Sequence, residues 1–290
     1  MNILITGGAG FIGSNLARRL SLEGHRICII DSLFPDYGGN MANLSDIKDD
    51  LDINILDLRD TFSIRPLLKG VDLIFNLAAQ TSHIGSIEDP ITDLDINSRA
   101  QLLFLQQVID VCPDAVVVYA STRQIYGTPK YLPVDEKHPI NPVDINGVTK
   151  YSAEKFHSLF HKIYGLRTIS LRLTNTYGPA MRVKDAKQTF LGIWIKNVLQ
   201  GNPIIIYGDG SQIRDFNFVD DVVDAFILVS KSPRCYGNVL NLGSKDILNL
   251  SDLAGLLLSR VKGSSLEYVP FPSDRKSIDI GDFYGDYKLA

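Results

Sequence analysis

Several features that this sequence lacks narrow what it can be. It has no excess of positive charge: 29 Lys and Arg face 33 Asp and Glu, for a net charge of −4. Broad nucleic-acid binding needs a basic face to neutralise phosphates, so no nucleic-acid partner is expected. No apolar run reaches bilayer-spanning length, and the first strand-like segment begins at Asn2 with no signal-peptide pattern before it. Neither a membrane span nor a secretory leader is therefore expected. Cysteine is scarce: Cys28, Cys112 and Cys235 lie far apart, two of them in apolar strand-like or helical segments. They read as reduced, buried thiols of a cytoplasmic protein, not as disulfides or a metal site. His157 and His161, spaced i, i+4 with Glu154 nearby, are joined by no cysteine pair and no His-Glu-x-x-His pattern. No metal is expected there, and the pair reads as a solvated helix face. Internal repeats and low-complexity tracts are also missing.

What is present is a long alternation of strands and helices. "MNILITGGAGFIGSNLARRLSLEGHRICIID" reads as a strand, a glycine turn, an amphipathic helix ending near Gly24, and a second strand. "LDINILDLRD" supplies a third strand, "VDLIFNLAA" a fourth, "AVVVYAST" a fifth and "RTISLRLTN" a sixth, with helices over about 93–111 and 146–164 between the later ones. Continuous apolar strands alternating with helices predict a parallel sheet covered on both faces. After Asn175 the rhythm breaks into loop ("TYGPAMRVKDAKQTF"), a helix ("LGIWIKNVLQG"), a short strand ("PIIIYG"), a long helix ("DVVDAFILVSKS") and a further strand ("GNVLNLG"). The expected fold is α/β: a Rossmann-type doubly wound sheet with a smaller, discontinuous lobe over the carboxyl ends of the strands, where ligands of open parallel sheets bind. The expected division places residues 1–175 and about 213–243 in the first part, and about 176–212 and 244–290 in the second.

"TGGAGFIG" joins the first strand to the first helix. Gly7 permits the tight turn, Gly10 lets the backbone approach a pyrophosphate, and Gly13 allows close helix–strand packing, while the helix N-terminus faces the phosphates with Phe11 and Ile12 in its first turn. Asp31 ends the next strand, 18 residues after Gly13, where a carboxylate accepts from both ribose hydroxyls and repels a 2′-phosphate. NAD is expected over NADP.

The spacing of Gly7, Gly10 and Gly13 resembles the extended short-chain dehydrogenase/reductase family, and within it the nucleotide-sugar epimerases and dehydratases. The resemblance runs along essentially the whole chain. It implies that "DLRD" contacts adenine through Asp57 and Leu58, and that "NLAAQTS" (with Leu77, Ala78 and Ala79), "SIEDP" and Asn97 wall the cofactor. In "LRLTNTYGP", Asn175 stands where the family contacts the substrate diphosphate; Arg214 in "IYGDGSQIRDFNFVDD" and Arg275 in "DRKSID" stand where it grips that diphosphate. Arginine's planar fork suits such a partner, because it meets two oxygens at once. The substrate implied is a nucleotide sugar, with a UDP-sugar favoured. The family also implies a homodimer through the two helices at about 93–111 and 146–164, the first carrying Leu102, Leu103, Leu105, Gln106 and Ile109. The closing "DFYGDYKLA" resembles a point after which the family normally adds a helix.

In this family a strand-end serine or threonine bonds the sugar hydroxyl, and a tyrosinate exchanges its proton. A lysine four residues later holds the nicotinamide ribose and lowers the tyrosine pKa. "YASTRQIYG" places Thr122 in the first role, four residues before Tyr126. "NGVTKYSAE" fits the second motif at Gly147, Thr149, Lys150, Ala153 and Glu154, with Asn146 where the tyrosine belongs. Tyr151 with Lys155 repeats the spacing, but Tyr151 is turned about 100° from Lys150 on a helix and reads as a packing residue. Asparagine has no useful pKa near neutrality, so Asn146 cannot be a general base. Arg123 and Gln124 occupy positions that hold an acid pair in sugar 4,6-dehydratases of the family, so dehydration by that route is not expected. Three readings follow. The first is an NAD-dependent epimerase, a UDP-hexose 4-epimerase working through a transient 4-keto sugar. The second is an atypical dehydratase or decarboxylase with another base, for which His83 is one candidate. The third is a non-catalytic NAD-binding regulator.

Overall fold

The apolar runs of the amino-terminal half become adjacent strands of one sheet in a computed structural model, which describes residues 1–290 apart from 36, 186–188 and 277. Its strands are β1 (Asn2–Thr6), β2 (Arg26–Asp31), β3 (Leu51–Ile55), β4 (Leu73–Asn76), β5 (Val116–Thr122), β6 (Arg167–Leu173), β7 (Asn175–Tyr177), β8 (Ile204–Tyr207), β9 (Ile213–Phe218), β10 (Val239–Leu242), β11 (Ile247–Asn249) and β12 (Leu266–Val269). Seven of them form a parallel sheet in the order β10-β6-β5-β4-β1-β2-β3. Successive side chains feed opposite cores: Ile3, Ile5, Phe75 and Val118 pack with Leu16 and Phe226 on one face, while Leu4, Ile74 and Val117 pack with Phe104 and Phe160 on the other. Burial on both faces explains why these strands read as continuous apolar runs.

The chain order reverses at β1, which lies between β2 and β4. Connections leave the sheet in opposite directions there, and a crevice opens at the carboxyl ends of the strands. The Phe11–Leu22 helix rises beside it. The helix expected over about 93–111 begins earlier, at Pro90, with the Asp89 carboxylate accepting from Thr92 N (3.1 Å), and it widens through a π turn at Asp95–Arg99 before continuing to Val111. The Ile145–Tyr164 helix starts at an Asp144 cap and stops at Gly165, whose φ of 74° the absent Cβ permits.

Beyond Asn175, β7 and β9 pair in parallel, β11 joins β9 antiparallel, and β8 pairs with β12. Residues 213–218, expected with the larger part, thus pair in this three-stranded sheet, whereas the following helix, Val219–Ser230, buries Val219, Val222, Val223 and Phe226 against the large one. The stretch expected as loop after Asn175 opens with β7, and its segment 186–188 lies outside the described residues. A separate core of Trp194, Ile204, Ile206, Phe216 and Leu253 supports the smaller sheets.

Candidate active site

One cavity of about 700 Å³ runs from the glycine turn to the smaller sheets. At its first end Gly7 has φ of 68°, and its N–H donates to Ile30 O (2.7 Å). A Cβ on Gly13 would overlap the Gly7 carbonyl oxygen, so the helix can approach the turn only without a side chain there. Asp31 Oδ2 accepts from Ala9 N (3.0 Å) and Oδ1 from Leu33 N (2.9 Å). Burial pushes this carboxyl upward in pKa, against those two bonds, and each oxygen keeps a lone pair for a further donor. Phe11, Ile12, Asp57, Leu58, Leu77, Ala78 and Ala79 line the same end. Asp57 is clamped by Arg59 (Oδ2–Nη2 2.7 Å), which holds its pKa below the usual carboxylate range. A turn stripped of side chains, the start of a helix and a carboxylate at the next strand end fit a dinucleotide whose ribose carries free hydroxyls.

Asn97 stands behind this wall rather than in it. Fully buried in the π turn, its amide accepts from Gln80 N (2.9 Å) and donates to Gln80 O (2.8 Å), fixing the segment that follows Ala79.

At the other end, Thr122 closes β5, and its Oγ1 accepts from Gln124 N (3.2 Å) while the hydroxyl hydrogen stays available. Lys150 comes from the face of the Ile145–Tyr164 helix that meets the sheet. Its Nζ donates to Ala120 O (2.6 Å) and lies 4.5 Å from the Tyr119 ring centroid. Burial lowers the Lys150 pKa to about 7, although the charges of Asp93 and Glu154 act to raise it. Asn146 lines the cavity one turn before Lys150, as the spacing predicts. Its amide hydrogens, however, are already occupied: Nδ2 donates to Gln80 O (2.9 Å) and to Asp93 Oδ2 (3.0 Å). Asp93 is itself fully buried and also accepts from Asn97 (3.2 Å) and Thr149. Asn146 is thus a structural tie across the cavity wall with only its oxygen left. Tyr151 is absent from the cavity lining and packs beside the cluster of Ile125, Tyr126, Val134 and Phe283.

The far wall carries the residues expected for a diphosphate. Asn175 Nδ2 donates to Asp215 O (3.1 Å), and its oxygen accepts from Arg123 (3.1 Å). Arg214 is buried, with Nη2 3.2 Å from Asp279 Oδ1 and Nη1 donating to the Ile213 and Gly281 carbonyls. Burial lowers its pKa, and Asp279 is the leading opposing charge. Arg275 lies 5.2 Å from the Tyr207 ring centroid and lines the cavity with Arg214.

Arg172 and Ser121 escaped the sequence reading, which had placed Glu154 in the lysine motif without its partners. Glu154 and Arg172 form a buried bidentate pair (Nη2–Oε1 2.7 Å, Nε–Oε2 3.0 Å), and Ser121 also donates to Glu154 (2.6 Å). An arginine inside the apolar run "SLRLT" was the available signal, since a buried charge needs a partner. The expectation for His157 is overturned: it is fully buried, stacked on Tyr119 at 4.3 Å, with Nε2 3.2 Å from Asn76 Nδ2, and burial lowers its pKa to about 4. Position 157 is seven residues after Lys150, two helical turns along the same inward face, so it meets the sheet and not solvent. His161 is half-buried and bonds Leu166 O (2.9 Å).

A doubly wound sheet, a glycine-turn crevice and a strand-end threonine sharing one cavity with a helical lysine define a dinucleotide-dependent enzyme of the short-chain dehydrogenase/reductase type. The chain belongs to the NAD dependent epimerase/dehydratase family, whose model matches residues 3–243. It is 32% identical to the UDP-glucose 4-epimerase of Mycolicibacterium smegmatis over 246 residues, 84% of this chain and 77% of that one. It is 30% identical over 278 residues to UDP-glucuronic acid decarboxylase 1 of Danio rerio, covering 94% of this chain and 64% of that one. Among solved structures, the UDP-glucose 4-epimerase of Thermotoga maritima with UDP-glucose superposes with a TM-score of 0.90 at 29% identity, over 100% of this chain and 91% of that one.

Proposed function

We propose that the protein is an NAD-dependent nucleotide-sugar epimerase that inverts C4 of a UDP-hexose. The observation that carries this reading is the continuity of one cavity from the Gly7–Gly13 turn, past Thr122 and Lys150, to Arg214 and Arg275. NAD supplies reversible oxidation at a sugar carbon when bound. Asp31 would hold its adenosine ribose, Lys150 its nicotinamide ribose, and Thr122 would hold the reacting hydroxyl. Arg214, Arg275 and Asn175 would anchor the sugar nucleotide by its diphosphate, leaving the hexose free to present either face. The test is incubation with NAD and UDP-glucose or UDP-galactose, following interconversion by chromatography. Bound NAD without turnover of any UDP-sugar would favour the non-catalytic reading. Titration calorimetry should show NAD bound well ahead of NADP, and Asp31→Ala should cost about 1–3 kcal/mol of NAD binding.

A second reading draws on Arg123. Arg123 lines the cavity beside Thr122, burial lowers its pKa to about 10, and its Nη1 is buried without a protein hydrogen-bond partner. A sugar carboxylate would satisfy that group, which favours trying UDP-glucuronate as well, with release of CO₂ as the mark of decarboxylation. The homodimer is likewise a proposal, supported by exposed Val148, Leu159 and Ile163 on the Ile145–Tyr164 helix and exposed Ile91 and Leu94 beside it. A monomer by light scattering at micromolar concentration would reject it. Three free thiols suit a reducing compartment such as the cytoplasm.

A further inference from the structure

We propose that His83, held by Asp144, is the residue that takes and returns the sugar hydroxyl proton in this chain. The inference rests on the epimerase reading and supplies the acid/base group that Asn146 cannot be. His83 lines the cavity that holds Thr122, Asn146 and Lys150, and its side chain is 36% exposed. Its Nδ1 lies 2.8 Å from Asp144 Oδ2, an ion-pair contact without the alignment of a hydrogen bond. The Asp144 side chain is fully buried and fixed from two further sides, by Gly147 N on Oδ1 (2.7 Å) and Gln124 Nε2 on Oδ2 (3.0 Å).

A buried carboxylate in ion-pair contact with an imidazole attracts positive charge onto the ring, which is the charge a ring nitrogen gains when it takes a proton. Asp144 is well suited to that part: burial acts to raise its pKa, but its contact with His83 and its other bonds outweigh this and leave it below the usual carboxylate value.

The same elements tie His83 to the reacting position. Asp144 caps the helix that begins at Ile145 and carries Asn146 and Lys150. Asn146 N donates to Ser86 Oγ (3.2 Å), so the short helix bearing His83 is fastened to that helix twice. Gln124, which holds Asp144, also donates its backbone N–H to Thr122 Oγ1 (3.2 Å). The histidine is therefore linked through one intervening carboxylate and one amide to the threonine expected to hold the hydroxyl.

The competing groups are less suited. Lys150 Nζ is engaged by Ala120 O and is needed for the nicotinamide ribose, Asn146 has no exchangeable charge, and Tyr126, whose hydroxyl donates to Asn241 Oδ1 (2.6 Å), is absent from the cavity lining. In the oxidative half-reaction the C4 O–H bond breaks and its proton passes to His83 Nε2. With NAD bound, the C4–H bond would break with its electron pair passing to the cofactor, which would oxidise the alcohol to a ketone and reduce the dinucleotide. The second half-reaction would return the hydride to the opposite face of C4 and the proton from His83 to O4.

The test pairs His83→Asn with His83→Ala in the NAD-loaded protein. Asparagine can still donate to Asp144 but cannot carry a proton, so a purely positioning role would survive it. We expect both variants to lose ~10²–10⁴-fold in turnover of UDP-glucose while binding NAD and UDP within twofold of the unmodified protein. Added imidazole should restore part of the turnover of His83→Ala. Near-normal turnover of His83→Asn overturns the proposal. A readout independent of turnover keeps it apart from the functional reading: carbethoxylation of His83, followed by peptide mass, should slow severalfold when UDP-glucose is added to the NAD-loaded protein. Failure of UDP-glucose turnover in the unmodified protein, with that protection present, would sink the 4-epimerase reading and leave His83 at the sugar. An unchanged modification rate would remove His83 from the site.

Discussion

The two ends of the cavity are built by different means. At the dinucleotide end the shape comes from residues close in sequence, with Gly7, Gly10 and Gly13 in one turn and Asp31 at the end of the adjacent strand. At the sugar end each side chain owes its place to partners far along the chain: Asn146 to Gln80 and Asp93, Lys150 to Ala120, His83 to Asp144, Ser121 and Arg172 to Glu154. Backbone sterics can shape the first end alone. The second exists only because buried polar groups satisfy one another, and a group left without its partner bears its full desolvation penalty. The difference teaches how to regard Asn146. It is not a tyrosine with its ring removed but one member of a set with Asp93, Asn97 and Thr149, and a tyrosine put back there would leave Asp93 and the Gln80 carbonyl short of donors.

This contrast can be broken, most forcefully at Glu154. Its carboxylate is 1% exposed and its partner Arg172 5%. Glu154→Ala would strand a buried guanidinium and should cost ~3–5 kcal/mol in urea unfolding. A loss below roughly 1 kcal/mol would show that buried pairing does not hold the sugar end together.

Lys150 tests the same end through pH. Its folded pKa of about 7 lies below its ordinary 10.5, so across that interval the unfolded chain binds the extra proton. Stability of the NAD-free protein should therefore gain a rising component between those values, lost again as pH falls through the folded pKa. Lys150→Met should abolish that component, read as the difference between the two proteins' urea midpoints. Parallel profiles would mean that the lysine is not desolvated.

A smaller effect is expected at Asn146. Asn146→Leu removes two donors from buried acceptors and should destabilise by about 1–3 kcal/mol, measured by thermal or urea unfolding. An unchanged midpoint would make it a bystander. The least effect should follow Tyr151→Phe, with turnover within about twofold, because its ring packs away from the cavity. A loss of ~10²-fold or more would instead assign proton transfer to Tyr151 and return the helix to the other register.

The large sheet was legible because apolar runs, glycine punctuation and helical spacing are local. β1 to β6 and β10 lie where their runs predicted, and the spacing of Asn146 and Lys150 put both on one helix face. β7 and β9 were missed because their sequences, "NTY" and "IRDFNF", are too short or too polar to announce a strand without the neighbours they pair with. The site was legible in the same uneven way. Motif and period picked out Gly7, Gly10, Gly13, Asp31, Thr122 and Lys150, all of which line one cavity, whereas His157 was misplaced on a solvated face.

By itself the sequence determined the order of strands and helices, the glycine turn and the residue types available to a dinucleotide and a diphosphate, since these follow from backbone sterics and periodicity over a few residues. Only the tertiary structure decided which polar groups meet. It paired Glu154 with Arg172, turned the Asn146 amide toward Asp93, placed His157 against Tyr119 and Asn76, and set Asp144 behind His83. Those choices depend on which distant segments share a low-dielectric interior, where an unpaired donor or charge is costly enough to select its partner.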